Sequence, residues 1–187
     1  MAPPSSPDGL AIARERIAKA AVEKSGFLDL GMLGLTELPE ELFRLKHLRR
    51  LNLGVGYLDA QGEWQDSITD IDEKNSPGSD LRGLGELNEL QSLFLRGAVL
   101  SELVGVEGLP NLLEIDCSDT QVSDLAPLAG LSNLRWLDCS STQVSDLSPL
   151  ASLSNLQWLD CSYTRVSSLV PLVGLPNLKW LYCRPSR

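Results

Sequence analysis

Cysteines stand at positions 117, 139, 161 and 183 of this chain, each 22 residues after the last, and the residues around them repeat with the same period. A fixed period of that size marks a solenoid, in which one unit is too short to bury its own apolar face and does so only by stacking on its copies. Leu90, Leu112, Leu134, Leu156 and Leu178 open the units, and Leu93, Ile115, Leu137, Leu159 and Leu181 follow three residues later. The next apolar column holds Leu95 and the four cysteines. Beyond it come Ala98, Thr120, Thr142 and Thr164, then Leu100, Val122, Val144 and Val166, then leucine-type columns such as Leu147, Leu150 and Leu153.

Upstream the period is 23 residues, Leu28 and Leu30 corresponding to Leu51 and Leu53, so residues 27–49 read as the first unit. Between Leu58 and Leu81 the register breaks. The tract DAQGEWQDSITDIDEKNSPGSD carries seven acidic residues against one lysine, with Gly62, Pro77 and Gly78, and reads as an insertion at 59–80 in the second unit. A degenerate repeat using Ile68 and Ile71 remains the alternative. Ahead of the solenoid, Leu10, Ala13, Ile17, Ala20 and Ala21 share one helical face, which predicts a capping helix within 8–26, bounded by Ser6-Pro7 and Ser25-Gly26. Residues 1–7 read as a flexible terminus. The solenoid spans 27–187 in about seven units, the last one truncated. Leu178, Leu181 and Cys183 lie in a strand that runs directly to the terminus, where a solenoid normally carries a polar cap. The expectation is a chain cut from a longer protein, with an open edge able to pair two copies.

Side chains alternate along a strand, so in LRWLDCS the residues Leu137 and Cys139 face the core while Trp136, Asp138 and Ser140 face outward. Stacked parallel strands turn each sequence column into a physical row. One row holds Glu114, Trp136, Trp158 and Trp180, and the next holds Phe94, Asp116, Asp138, Asp160 and Tyr182. These nine residues are the candidate partner-binding surface, because large aromatics facing water are characteristic of interface centres. Aromatic stacking that only stiffens the sheet is the plainer reading. Adjacent aspartates at strand spacing repel by about 0.9 kcal/mol in water, which favours a basic partner or a cation, although a solvated structural row is the default reading. The cysteines form a straight inward row instead of a tetrahedron, so buried thiols are expected and a zinc site is not.

The combined columns resemble the leucine-rich repeat, L-x-x-L-x-L-x-x-N-x-L, with Cys at the third leucine and Thr at the asparagine position. A threonine hydroxyl makes fewer bonds than an asparagine amide, so a weaker turn ladder is expected. The VSDLSPLASLSNL tail is similar to the short repeats of internalins. The resemblance implies an α/β fold: a right-handed solenoid with a concave parallel β-sheet, a convex side of 3₁₀ segments and turns, and an N-terminal α-helical cap. The charged first helix, LDLGMLGLTELPEEL and the LDCSxTQVSDLxPL units also resemble the N-terminal leucine-rich region of bacterial Roco proteins. That resemblance implies a regulatory or sensing segment whose partner is a protein or peptide, including the Roc and COR domains of the same chain. A stand-alone internalin-like adhesin or effector is the alternative.

The formal charge of −9 and a pI near 4.6 argue against nucleic acid and anionic membrane as partners. His47 is the sole histidine, and no phosphate loop or nucleophile elbow occurs, so no catalytic residue, cofactor or metal ligand is expected. Without a secretory signal or a long apolar run, the chain reads as cytoplasmic.

Overall fold

The computed structural model describes residues 8–69, 71–77 and 81–185. Seven three-residue strands form one parallel sheet in the order β1 (Phe27–Asp29), β2 (Arg50–Asn52), β5 (Ser92–Phe94), β6 (Glu114–Asp116), β7 (Trp136–Asp138), β8 (Trp158–Asp160) and β9 (Trp180–Tyr182). Their register is set by the repeat, Leu28, Leu51, Leu93, Ile115, Leu137, Leu159 and Leu181 standing side by side. The opposite side of each turn is a short 3₁₀ segment, at Glu40–Arg44, Arg82–Glu86, Val106–Gly108, Ala126–Leu128, Ser148–Leu150 and Val170–Leu172. The last three carry proline in their first turn, where a missing N–H leaves no bond unmade. The leucine columns between sheet and 3₁₀ side make one continuous core.

Helix α1 (Gly9–Glu23) closes the first end of that core by burying Ala13, Ile17 and Ala20. Asp8 caps it, its carboxylate accepting from the Leu10 N–H at 3.0 Å, and Lys24 ends it in the left-handed conformation. The start signal assigned to Ser6-Pro7 and the terminus assigned to 1–7 lie outside the described residues. At the other end Leu181 and Cys183, which occupy core columns, are exposed. Cys117, Cys139 and Cys161 are buried, so the inward cysteine row holds for three members and not for the fourth.

The tract after β2 is neither a plain loop nor a spare repeat. It begins with an antiparallel hairpin, β3 (Gly56–Leu58) paired with β4 (Trp64–Asp66), closed by Asp59, whose carboxylate accepts from the N–H groups of Gln61 and Glu63 at 2.9 Å each. The chain then returns to the repeat. Met32, Asp72, Gly97, Asp119, Ser141 and Tyr163 all have φ between 51° and 68°, forming one column of left-handed turns, and Asp72 re-enters at that column. Three residues later Asn75 occupies the place held elsewhere by Leu35, Leu100, Val122 and Val144. Its carbonyl accepts from Val99 N–H at 2.8 Å, as the carbonyls of Leu100 and Val122 accept from Gln121 and Gln143. Ile68 is 85% exposed and Ile71 only partly buried, so neither carries a repeat of its own.

Asn75 is also the most heavily bonded buried side chain of the first turns. Its oxygen accepts from Leu33 N–H (3.3 Å) and Leu35 N–H (2.9 Å), and its nitrogen donates to the carbonyls of Leu30 (2.7 Å) and Leu53 (2.9 Å). The threonines of later units each donate once, to a cysteine carbonyl three residues back at 2.6 Å, a bond within one unit. Asn75→Ala is therefore expected to lower unfolding stability by about 3 kcal/mol, read as a reduced urea midpoint, with hydrogen exchange accelerating first at Leu33 and Leu35. A thiol reagent should modify one cysteine of the native protein, Cys183, and all four once it is unfolded.

Candidate functional site

Each strand offers two outward positions, so the concave face is a grid of paired rows. The two halves of that grid differ. Over β1, β2 and β5 the hairpin lies on the sheet. Tyr57 packs on Phe27 at 4.5 Å between ring centroids and on Phe94 at 6.4 Å. Arg50 reaches a carbonyl of the hairpin, Leu58 O, with its guanidinium. Below the stem, the Ser67 hydroxyl donates to Asp29 at 2.7 Å, and the Asn52 amide donates to Asp29 at 2.8 Å and to Ser67 at 2.7 Å. Gly56 lets the Trp64 ring cross the strand, since a Cβ there would meet the indole at 2.5 Å.

Phe94 was expected among the partner-binding residues and is not available to a partner: it is fully buried beneath the hairpin. Asp116 is also removed from the surface, at 1% exposure. Glu114 is half-buried and accepts from the Ser92 hydroxyl at 2.7 Å. The remaining six candidates lie together on β7, β8 and β9. Trp136 and Trp158 stack at 4.6 Å with an interplanar angle of 13°, and Trp158 continues onto Tyr182 at 5.5 Å. Trp180 and Tyr182 are about half exposed, with the Lys179 ammonium 5.9 Å from the Trp180 ring centre.

The aspartates end their strands. One oxygen of Asp116, Asp138 and Asp160 accepts the N–H of Ser118 (3.0 Å), Ser140 (2.9 Å) and Ser162 (2.8 Å), folding the backbone back toward the convex side. Ser118 adds its hydroxyl to Asp116 at 2.5 Å. Burial, and then the charge of Asp138, push the Asp116 carboxyl up to about 6 against the opposing pull of the Ser118 bonds and Arg96. Asp138 is raised as well, chiefly by burial. Burial raises the thiols of Cys117, Cys139 and Cys161 too, so the ionised, reactive form is disfavoured. Among the described residues no group of three or more His, Cys, Asp or Glu side chains is placed to hold a metal ion. His47 lies half-buried beside α1, its Nε2 3.3 Å from the Ala20 carbonyl.

Tyr57, Trp64, Arg50 and Arg96 belong to this face and were not singled out in the sequence. Arg96 stacks over the Trp64 ring at 4.9 Å and pairs with Asp119 at 3.0 Å, locking the hairpin against the sheet. The available signal was GYLDAQGEWQD, in which two short aromatic-bearing runs flank an Asp and a Gly suited to a turn.

No protein-family model matches the sequence, and no curated protein matches it. Solved structures do. An internalin (inlF) of Listeria monocytogenes superposes with TM-score 0.63 at 22% identity, over 94% of this chain and 55% of that one. A leucine-rich-repeat protein of Leptospira interrogans gives 0.63 at 22% identity, over 89% and 45%. A plant peptide hormone receptor, RGFR1 in complex with RGF2, gives 0.57 at 20% identity, over 80% and 26%. This chain thus spans about half the length of the first two.

The Asp116 carboxyl yields a direct test. Its folded value lies above the ordinary 3.8, so the folded state keeps a proton that the unfolded chain has lost, and stability falls as pH rises from about 4 through about 6. Asp116→Asn, which preserves the turn bond as Asn52 does for Gly54 at 2.9 Å, should raise the urea midpoint at pH 7 and leave it unchanged near pH 4. The gain at pH 7 is bounded at about 3 kcal/mol. The parallel seven-strand sheet, the recurring 3₁₀ turns and the helical cap, shared with these neighbours, give this chain the leucine-rich-repeat fold.

Proposed function

We propose that this chain is a protein- or peptide-binding module whose docking surface is the concave face of β6 to β9. The observation that carries the reading is the asymmetry of that face. The hairpin occupies the sheet from β1 to β5, and beyond it Trp136 and Trp158 are half-buried in their own stack while Tyr182 is exposed. Partly exposed aromatics on a rigid sheet suit an interface centre, since they bring large contact area with little side-chain entropy to lose. The fold shared with a peptide-bound receptor supports the same reading. Stacking also stiffens the sheet, but it leaves Trp180 and Tyr182 half exposed.

Two finer elements rest on the sequence alone: a place beside Roc and COR domains, and pairing of two copies through the β9 edge. A reading frame continuing past Arg187 into a GxxxxGK[ST] segment is the test of the first, and light scattering of the second. No described helix is long and apolar enough to cross a membrane. The docking surface itself is tested by selecting a displayed random-peptide library on the protein, with the Trp136→Ala, Trp158→Ala double variant as counter-target. Peptides should be enriched on the native surface and lost on the double variant, whose circular dichroism and urea midpoint verify folding. Enrichment that survives the substitutions would place binding elsewhere.

A further inference from the structure

The covered half of the concave face is filled by groups of this same chain, and the filling has a consistent chemistry. The Arg50 guanidinium lies 5.6 Å from the Phe27 ring centre and 5.7 Å from that of Phe94. Asp29 stands in the same row as Asp116, Asp138 and Asp160. It receives Arg16, at 3.9 Å between charged atoms and with a 2.8 Å bond from the guanidinium to the Asp29 carbonyl. Arg96 covers Trp64 and pairs with Asp119. Beside the Tyr57 ring and the Ser67 and Asn52 bonds, guanidinium on ring and guanidinium on carboxylate therefore recur where this sheet surface is completed by its own chain.

Toward β9 the same rings and carboxylates continue without that complement. Among the described residues no cation lies over Trp136, Trp158 or Tyr182 and no ion pair reaches Asp138 or Asp160; Asp138 is 9% exposed and feels the Arg96 charge, whereas Asp160 is half-buried. The strand-ending turns engage one oxygen of each aspartate. We infer that the partner is an extended, arginine-bearing segment, its guanidinium groups lying on the Trp136, Trp158 and Tyr182 rings and neutralised chiefly by Asp160, with the more deeply set Asp138 adding its charge from beside it. The inference rests on the concave docking surface proposed above and names what that surface accepts. Four adjacent strands cover about 14 Å across the sheet, the reach of about four extended residues. Arginine fits better than lysine because its planar group stacks on indole while its fork meets a carboxylate. The net charge of −9 draws such a segment in and makes its capture salt-dependent.

The test titrates the whole chain with a short alternating Arg-Ser peptide, its citrulline counterpart and its Glu counterpart, following tryptophan fluorescence. The Arg peptide is expected to bind, with the neutral citrulline isostere weaker by about tenfold or more and the Glu peptide weaker still. Asp138→Asn with Asp160→Asn, which retains the turn bonds, should weaken the Arg peptide by a similar factor. Asp124→Asn with Asp146→Asn, an equal charge change on the exposed convex turns, should leave it unchanged. Equal affinity for the citrulline peptide, equal loss in both double variants, or no binding of the Arg peptide overturns the inference. The library selection separates the two proposals. Enriched peptides that depend on Trp136 and Trp158 but lack arginine overturn this inference alone, whereas enrichment independent of those residues removes the docking surface itself.

Discussion

Every other feature depends on the lateral ladder between units, in which the N–H groups of one strand and its following turn donate to the carbonyls of the next. Leu53 donates to Phe94, Leu95 to Asp116, Cys117 to Asp138, Cys139 to Asp160 and Cys161 to Tyr182, all at 2.7 to 2.9 Å. With strands of three residues, no unit has enough backbone pairing or apolar area to stand alone. Leucines are buried only because a neighbour lies on either side. The first neighbour is α1; the exposure of Leu181 shows how a core column fares with a unit on one side only.

The same ladder explains why an insertion of this size is tolerated. It leaves the repeat between the end of β2 and the left-handed turn, and re-enters at Asp72 with the φ that this column requires. The strand before it and the 3₁₀ side after it therefore keep their neighbours. The displaced turn is re-secured by Asn75, whose four bonds tie units one and two together where later units rely on threonine hydroxyls. The threonine hydroxyls donate within their own unit, and those of Thr120 and Thr164 also accept from Val122 N–H and Val166 N–H at 3.4 Å, whereas Asn75 reaches two units from the column of Leu100 and Val122.

The concave surface has one half completed from within. Tyr57 and Arg50 fill the grid where Phe27 and Phe94 stand, and Ser67 joins the polar row of Asp29 and Asn52. The other half keeps its rings and carboxylates outward. The aspartates there act in two ways at once: as acceptors that turn the chain at each strand end, and as charges held on a sheet where water is partly excluded. The second role opposes the first energetically, which is why Asp116 and Asp138 hold their protons to higher pH than ordinary carboxylates.

By itself the sequence determined the solenoid, the parallel register, the inward and outward residues of each strand, the convex 3₁₀ turns and the helical cap. The stacking, the register and the cap follow from a period, from alternation and from helical spacing, which are local rules repeated until they add up to a fold; the convex 3₁₀ turns were implied by the resemblance to leucine-rich repeats. Tertiary structure alone decided where the inserted tract goes. Nothing in GYLDAQGEWQD states that Tyr57 will land between Phe27 and Phe94, or that Arg96, a long way along the chain, will hold Trp64. Those contacts depend on strands that become neighbours only after stacking, so Phe94 read as surface and proved buried. Asp116 read as exposed for a related reason: a column predicts direction, and burial depends on what packs over it.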